Sequence, residues 1–227
     1  MKRFLSAFIA LVGLAWGVEM LSATGAVASA PGNPWAVREH ALTLTGLGSF
    51  ALMSLAMVLA TRPARLERFF GGMDRIYRVH KWAGILAVGF AVLHWLVELS
   101  DDLIKTLWGR EGRLPKDHGG GLLEAMRDVA EELGEFAIYA LLAMLVLTLW
   151  KRFPFRIWRY VHKGMPVLYL ALAFHAAFLA PLDYWTQPVG VLLAGLIAAG
   201  SVASVRVLGG RIGQDRRVGG VVESVRD

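Results

Sequence analysis

Apolar residues run along this chain in blocks too long and too continuous for half-buried strands. A run of about eighteen or more predominantly apolar residues is long enough to cross a bilayer as a helix. On that criterion the sequence predicts six spans, roughly 4–27, 41–60, 81–99, 133–150, 161–179 and 185–208. Strict period-two alternation is absent, and the blocks exceed the ~10 residues of a barrel strand. The expected fold class is therefore all-α, a polytopic membrane bundle of six transmembrane helices.

Composition and charge sharpen the picture. The chain has 227 residues, 56% of them hydrophobic, and a mean hydropathy of +0.51, above that of a soluble domain. All but six of the 24 Lys and Arg residues fall before the first span, between spans two and three, between four and five, and after six. The exceptions are Arg38, Lys105, Arg110, Arg113, Lys116 and Arg127. Positive charge accumulates on the cytoplasmic side of membrane proteins, so both termini are expected in the cytoplasm. The net charge of +6 is then a topology signal, not a nucleic-acid footprint. There is no cysteine, which excludes disulfides and any covalent thioether link to a cofactor.

Ionisable residues inside apolar spans are expensive, and they mark function. His80 and His94 lie in the third span and its approach; His162 and His175 lie in the fifth. Fourteen residues of helix rise about 21 Å and turn about 1400°, so His80 and His94 point within about 40° of each other at two depths. The second pair is thirteen apart and ends about 140° from alignment in an ideal helix. Pro166, one turn after His162, removes a helix hydrogen bond and can kink the segment. Crossing the two helices pairs His80 with His162 and His94 with His175. Two axial imidazoles at each of two levels is the arrangement that holds two stacked b-type haems.

Three segments carry alternative readings. The first span, with Lys2 and Arg3 before it and Ala-Val-Ala-Ser-Ala before Pro31, is either a retained helix or a cleaved secretory signal; its length favours retention. The outer loop 100–132 contains Gly119 to Gly121 and then Leu122, Met126, Val129, Leu133 and Phe136 at helical spacing. That pattern is an amphipathic approach to span four or a lid over the outer site; His118 reads as an ordinary loop residue. After span six, Arg211 to Arg217 precede a β-prone run with Val221, Val222 and Val225. No internal repeat and no Walker-type phosphate loop is present.

Six spans with His-x13-His in the third and His-x12-His in the fifth resemble the transmembrane domain of ferric reductases and NADPH oxidases. The phrase GGMDRIYRVHKWAGILAVGFAVLHWLVEL resembles the bacterial branch of that superfamily, and the resemblance covers roughly residues 40–208. It implies that residues 1–208 form a transmembrane haem domain with two haem b groups. The inner haem would take His80 and His162 as metal ligands, the outer haem His94 and His175. It also implies an oxidoreductase membrane component in the cytoplasmic membrane. Electrons would pass from a cytoplasmic NAD(P)H and flavin (FAD) donor, in cis or in trans, to an outer-face acceptor such as ferric iron or oxygen. Residues 209–227 would be a linker and the first strand of such a flavin domain.

The resemblance places other residues too. Arg38 and His40 stand at the outer end of span two, where the oxidase branch has an arginine near its acceptor site; a solvated helix end is the simpler alternative. Arg75, Arg78 and Lys81 are positive-inside anchors or partners for haem propionates. The oxidase branch has a second histidine one turn after the outer ligand, where this chain has Glu98, and an aromatic between the haem levels, where it has Leu168 beside Tyr169. Two rival functions stand beside the first. One is a haem subunit that delivers electrons to a periplasmic reductase such as methionine sulfoxide reductase. The other is a non-redox transporter whose histidines relay protons.

Overall fold

The computed structural model describes residues 2–22, 33–113, 120–150 and 152–213. They form eight α-helices: α1 (Lys2–Ser22), α2 (Pro34–Ala60), α3 (Ala64–Phe70), α4 (Met73–Trp108), α5 (Leu122–Leu149), α6 (Phe155–His162), α7 (Met165–Leu179) and α8 (Pro188–Leu208), with a short 3-10 helix at Leu182–Thr186. Among the described residues, α1, α2, α4, α5 and α8 are long and apolar enough to cross a membrane. The chain is a multi-pass membrane protein, and the exposed apolar side chains along α4, α5 and α8 form its lipid-facing surface.

Two expected elements differ. The predicted fifth span, 161–179, is not one helix. It breaks at Lys163 and Gly164 into α6 and the fifteen-residue α7. Pro166 has no N–H to give the carbonyl of His162, and the chain closes the gap with tight turns, Gly164 N–H to Val161 and Val167 N–H to Gly164. At about 22 Å, α7 is short of the ~30 Å hydrocarbon core. The expected outer loop 100–132 is mostly helix. The α4 helix runs on through the charged stretch because Lys105 pairs one turn back with Asp101 and also with Asp102, support of the i,i+4 kind. It stops at Gly109, and α5 starts at Leu122. The Ala-Val-Ala-Ser-Ala stretch, His118 and the C-terminal β-prone run lie outside the described residues.

The α2 helix is the centre of the bundle. Asn33 caps it by accepting from the Trp35 N–H, Pro34 opens it, and Phe50, Ala51, Leu52, Met53 and Leu59 are buried along it. Side chains at its seam with α4 are small: Ala83 and Ala87 on α4 are fully buried, and Ser49 on α2 donates to the Ala87 carbonyl at 3.0 Å. A second small-residue seam, Ala130, Gly134 and Ala137 on α5, faces α7, where His175 lies against Gly134. Lipid gives helices no hydrophobic reason to associate, so close backbone approach through small residues matters more here than in water.

Tyr169 ties the central helices together. It is fully buried, stacks on Phe50 at 5.4 Å, donates to the Leu196 carbonyl at 2.9 Å and lies 2.8 Å from the Ser54 hydroxyl. A Cβ on Gly200 would fall inside contact with the tyrosine ring. Tyr169→Phe should therefore cost about 1–2 kcal/mol by leaving buried oxygens unmatched, and Gly200→Ala about 1–3 kcal/mol through overpacking. Thermal unfolding of the purified protein in detergent should show both midpoints below wild type; a wild-type midpoint for Gly200→Ala would contradict this packing.

Candidate functional site

The four histidines of the two apolar segments come together as two facing pairs. His80 and His162 have ring centroids 6.2 Å apart with planes at 81°. His94 and His175 are 6.4 Å apart at 85°. The break between His162 and His175 resolves the angular mismatch of the ideal helix, since the two residues stand on separate helices.

Three of the imidazoles are oriented by backbone carbonyls of the helix packed alongside. His80 Nδ1 meets the Ala56 carbonyl on α2 at 3.0 Å. His94 Nδ1 meets the Leu42 carbonyl at 3.0 Å, with Thr45 Oγ1 at 3.4 Å. His175 Nδ1 meets the Ala130 carbonyl on α5 at 2.7 Å. A carbonyl oxygen only accepts, so Nδ1 donates in each case. The neutral ring's lone pair then sits on Nε2, free to bind a metal.

Close approach at the second level depends on two glycines. Leu42 and Ala130 lie one helical turn before Gly46 and Gly134. A Cβ on Gly46 would come 3.1 Å from His94 Cε1 and Nδ1, and one on Gly134 would fall inside contact with the His175 ring. Sequence reasoning missed both glycines; their signal is a Gly in the middle of a spanning helix, where it costs stability unless something must come close. Ala60 occupies the corresponding place, one turn after Ala56, at the first level.

The spacing has a chemical meaning. Imidazole nitrogens bind metals at about 2.0–2.1 Å, so two imidazoles on opposite sides of one ion have centroids about 6.3 Å apart. Both pairs match that separation. Among the described residues no group of three or more His, Cys, Asp or Glu is assembled that would hold a bare metal ion. Each level offers two ring nitrogens, the donor set suited to a metal whose remaining positions are filled by a macrocycle.

The remaining expected site residues are dispersed. Arg38 Nη2 binds the Glu98 carboxylate at 2.9 Å and its backbone carbonyl at 3.1 Å, with Asp101 at 3.9 Å; its Nε is buried and has no partner among the described residues. His40, two residues on, turns to the other side of α2 and meets Trp16 on α1 edge-to-face at 6.2 Å. Arg38 and His40 therefore do not form one site, because residues two apart on a helix diverge by about 160°. Arg75 donates to the Phe70 carbonyl at the end of α3. Arg78 and Lys81 are exposed, and on α4 they stand about 160° and 100° away from His80. Tyr169 belongs to the α2–α7–α8 core, and Leu168 beside it is buried.

Comparison with known proteins gives one family. Residues 45–173 match the family described as ferric reductase like transmembrane component. The match includes His80, His94 and His162 and ends two residues before His175. No curated protein matches the chain. The matched segment holds both small-residue seams, and it is more than half of the sequence. The chain belongs to the ferric reductase like transmembrane component family, the membrane components of oxidoreductases.

Proposed function

We propose that this protein carries electrons across the membrane and holds one haem b at each histidine level, with His80 and His162 as one axial pair and His94 and His175 as the other. The observation that carries this reading is the pair of facing imidazoles at metal-ligand spacing, with Nδ1 turned to a carbonyl in three of the four. When bound, haem supplies reversible one-electron iron chemistry that the side chains lack. The protein's part is to supply two nitrogens per level, fix the tautomer of His80, His94 and His175, and exclude bulk water. Two protein ligands per level would leave no open position on a bound haem's iron, so an acceptor would be reduced without binding to it.

Charge supports an orientation. The end of the bundle formed by α3, the start of α4, α6 and the end of α8 carries Arg62, Arg65, Arg68, Arg156, Arg159 and Arg206. This end belongs in the cytoplasm, which makes His80 and His162 the inner pair and His94 and His175 the outer pair. Lys81, exposed next to His80 in the chain, is the cation that would meet a haem propionate; Arg78 points to the opposite side of α4. The donor is a cytoplasmic flavin domain fed by NAD(P)H, in cis or in trans. The acceptor lies on the outer face: ferric iron, oxygen, or a periplasmic reductase such as methionine sulfoxide reductase. Glu98 holds Arg38 in an ion pair, so an anionic acceptor must displace it. That pairing favours a protein or neutral acceptor over a small anion.

The test is electron flow through sealed proteoliposomes that contain the haem-loaded chain, trapped cytochrome c as a protein acceptor and external dithionite. Flux above protein-free vesicles is expected; equal flux would rule out transmembrane transfer. His94→Leu or His175→Leu should remove one haem of the two and stop the flux. Gly134→Ala should act like His175→Leu, since the added methyl takes the imidazole's place. Gly84→Ala, with open space around it, should retain both haems. If Gly134→Ala binds haem and conducts like wild type, the outer-level geometry described above is incorrect.

A further inference from the structure

His162 is held differently from the other three histidines. Its Nδ1 is buried and has no hydrogen-bond partner among the described residues. Instead the ring lies against the indole of Trp158, centroids 4.8 Å apart and planes within 16°. Trp158 is itself fixed, its Nε1 donating to Thr148 Oγ1 at 3.0 Å near the end of α5. On its far side Phe155 stacks at 5.6 Å and 22°. Spacings of three and four residues put Phe155, Trp158 and His162 on one face of α6. Phe155 is 67% exposed, so a column of three parallel rings runs from the surface of the bundle to the inner histidine pair.

We propose that Trp158 is the positioning residue of the inner site and the path by which electrons reach it. This rests on the reading of His162 as an axial ligand. The stack does what a carbonyl does for the other imidazoles: it sets the plane of a ring that no hydrogen bond sets. It also gives a donor at the α6 surface a contact with the inner ligand through packed aromatic atoms in place of lipid or water. In each event a reduced flavin would give up one electron and a haem held by His80 and His162 would take it up. No bond forms or breaks, and Trp158 itself is neither oxidised nor reduced. A role as an interfacial anchor alone would require only an apolar side chain at this position, which gives the two roles different outcomes on substitution.

The experiment uses the full haem-loaded chain in nanodiscs, carrying His94→Leu so that the inner haem is the only one. Trp158→Leu, Trp158→Phe and, as a control, Trp185→Leu on the 3-10 helix are compared. The readouts are haem per chain, the low-spin ferric electron paramagnetic resonance signal, and the rate of anaerobic reduction by photoreduced flavin mononucleotide. Trp158→Leu should keep its haem, shift the resonance as the imidazole plane relaxes, and slow reduction on the order of tenfold. Trp158→Phe should retain most of the wild-type signal and rate, and Trp185→Leu all of both. If Trp158→Leu fails to hold haem, Trp158→Phe decides: a near-wild-type signal and rate support the stack, and a loss of rate overturns it. An unchanged resonance and rate in Trp158→Leu would overturn the proposal. Absence of haem from the unmutated chain would instead defeat the ligand reading beneath it.

Discussion

The bond on which the rest of this structure depends is the one from a histidine Nδ1 to a backbone carbonyl of the helix next door. Such a bond requires two helix backbones to approach closely, which only small side chains permit. Gly46, Ser49, Ala83 and Ala87 do this between α2 and α4; Ala130, Gly134 and Ala137 do it between α5 and α7. The same seams that hold the bundle together in lipid, where apolar burial between helices gains little, thus fix the tautomer and aim of the imidazoles. Stability and site geometry share one set of contacts. A methyl group added at Gly46 or Gly134 perturbs both.

The two levels are not equivalent. At the level of His94 and His175 both imidazoles donate to carbonyls, and each lies against a glycine. At the level of His80 and His162, His80 has a carbonyl, but His162 has a stacked indole and stands on an eight-residue helix set off from α7 by the Gly164 break. The first level is built between long helices and the second partly on a short amphipathic one.

Much of this was legible in the sequence because membrane physics leaves few choices. Long apolar runs, intramembrane histidines and asymmetric Arg and Lys each have one dominant explanation in a bilayer. The pairing of His80 with His162 and His94 with His175 followed from crossing two helices. The boundaries were less legible. Span three was ended too early because Asp101, Asp102 and Lys105 read as a loop, although their spacing is that of helix-stabilising ion pairs; the helical spacing from Leu122 did announce the start of α5. The fifth span read as one apolar run by hydropathy; Pro166 marked a kink there, and the structure has a full break into two helices. Gly46 and Gly134 were overlooked, since a glycine's role is the space beside it, and that space belongs to another helix.

The central claim is that the four histidines hold two haems, and haem quantitation tests it most directly. The chain would be purified after expression with adequate haem supply, and its pyridine haemochrome and protein content measured on the same sample, together with its oxidised and reduced spectra. The account predicts two b-type haems per chain, both six-coordinate and low-spin, with no thioether-linked signature. A ratio of one or none, or a dominant high-spin signal in the untreated oxidised protein, would contradict it.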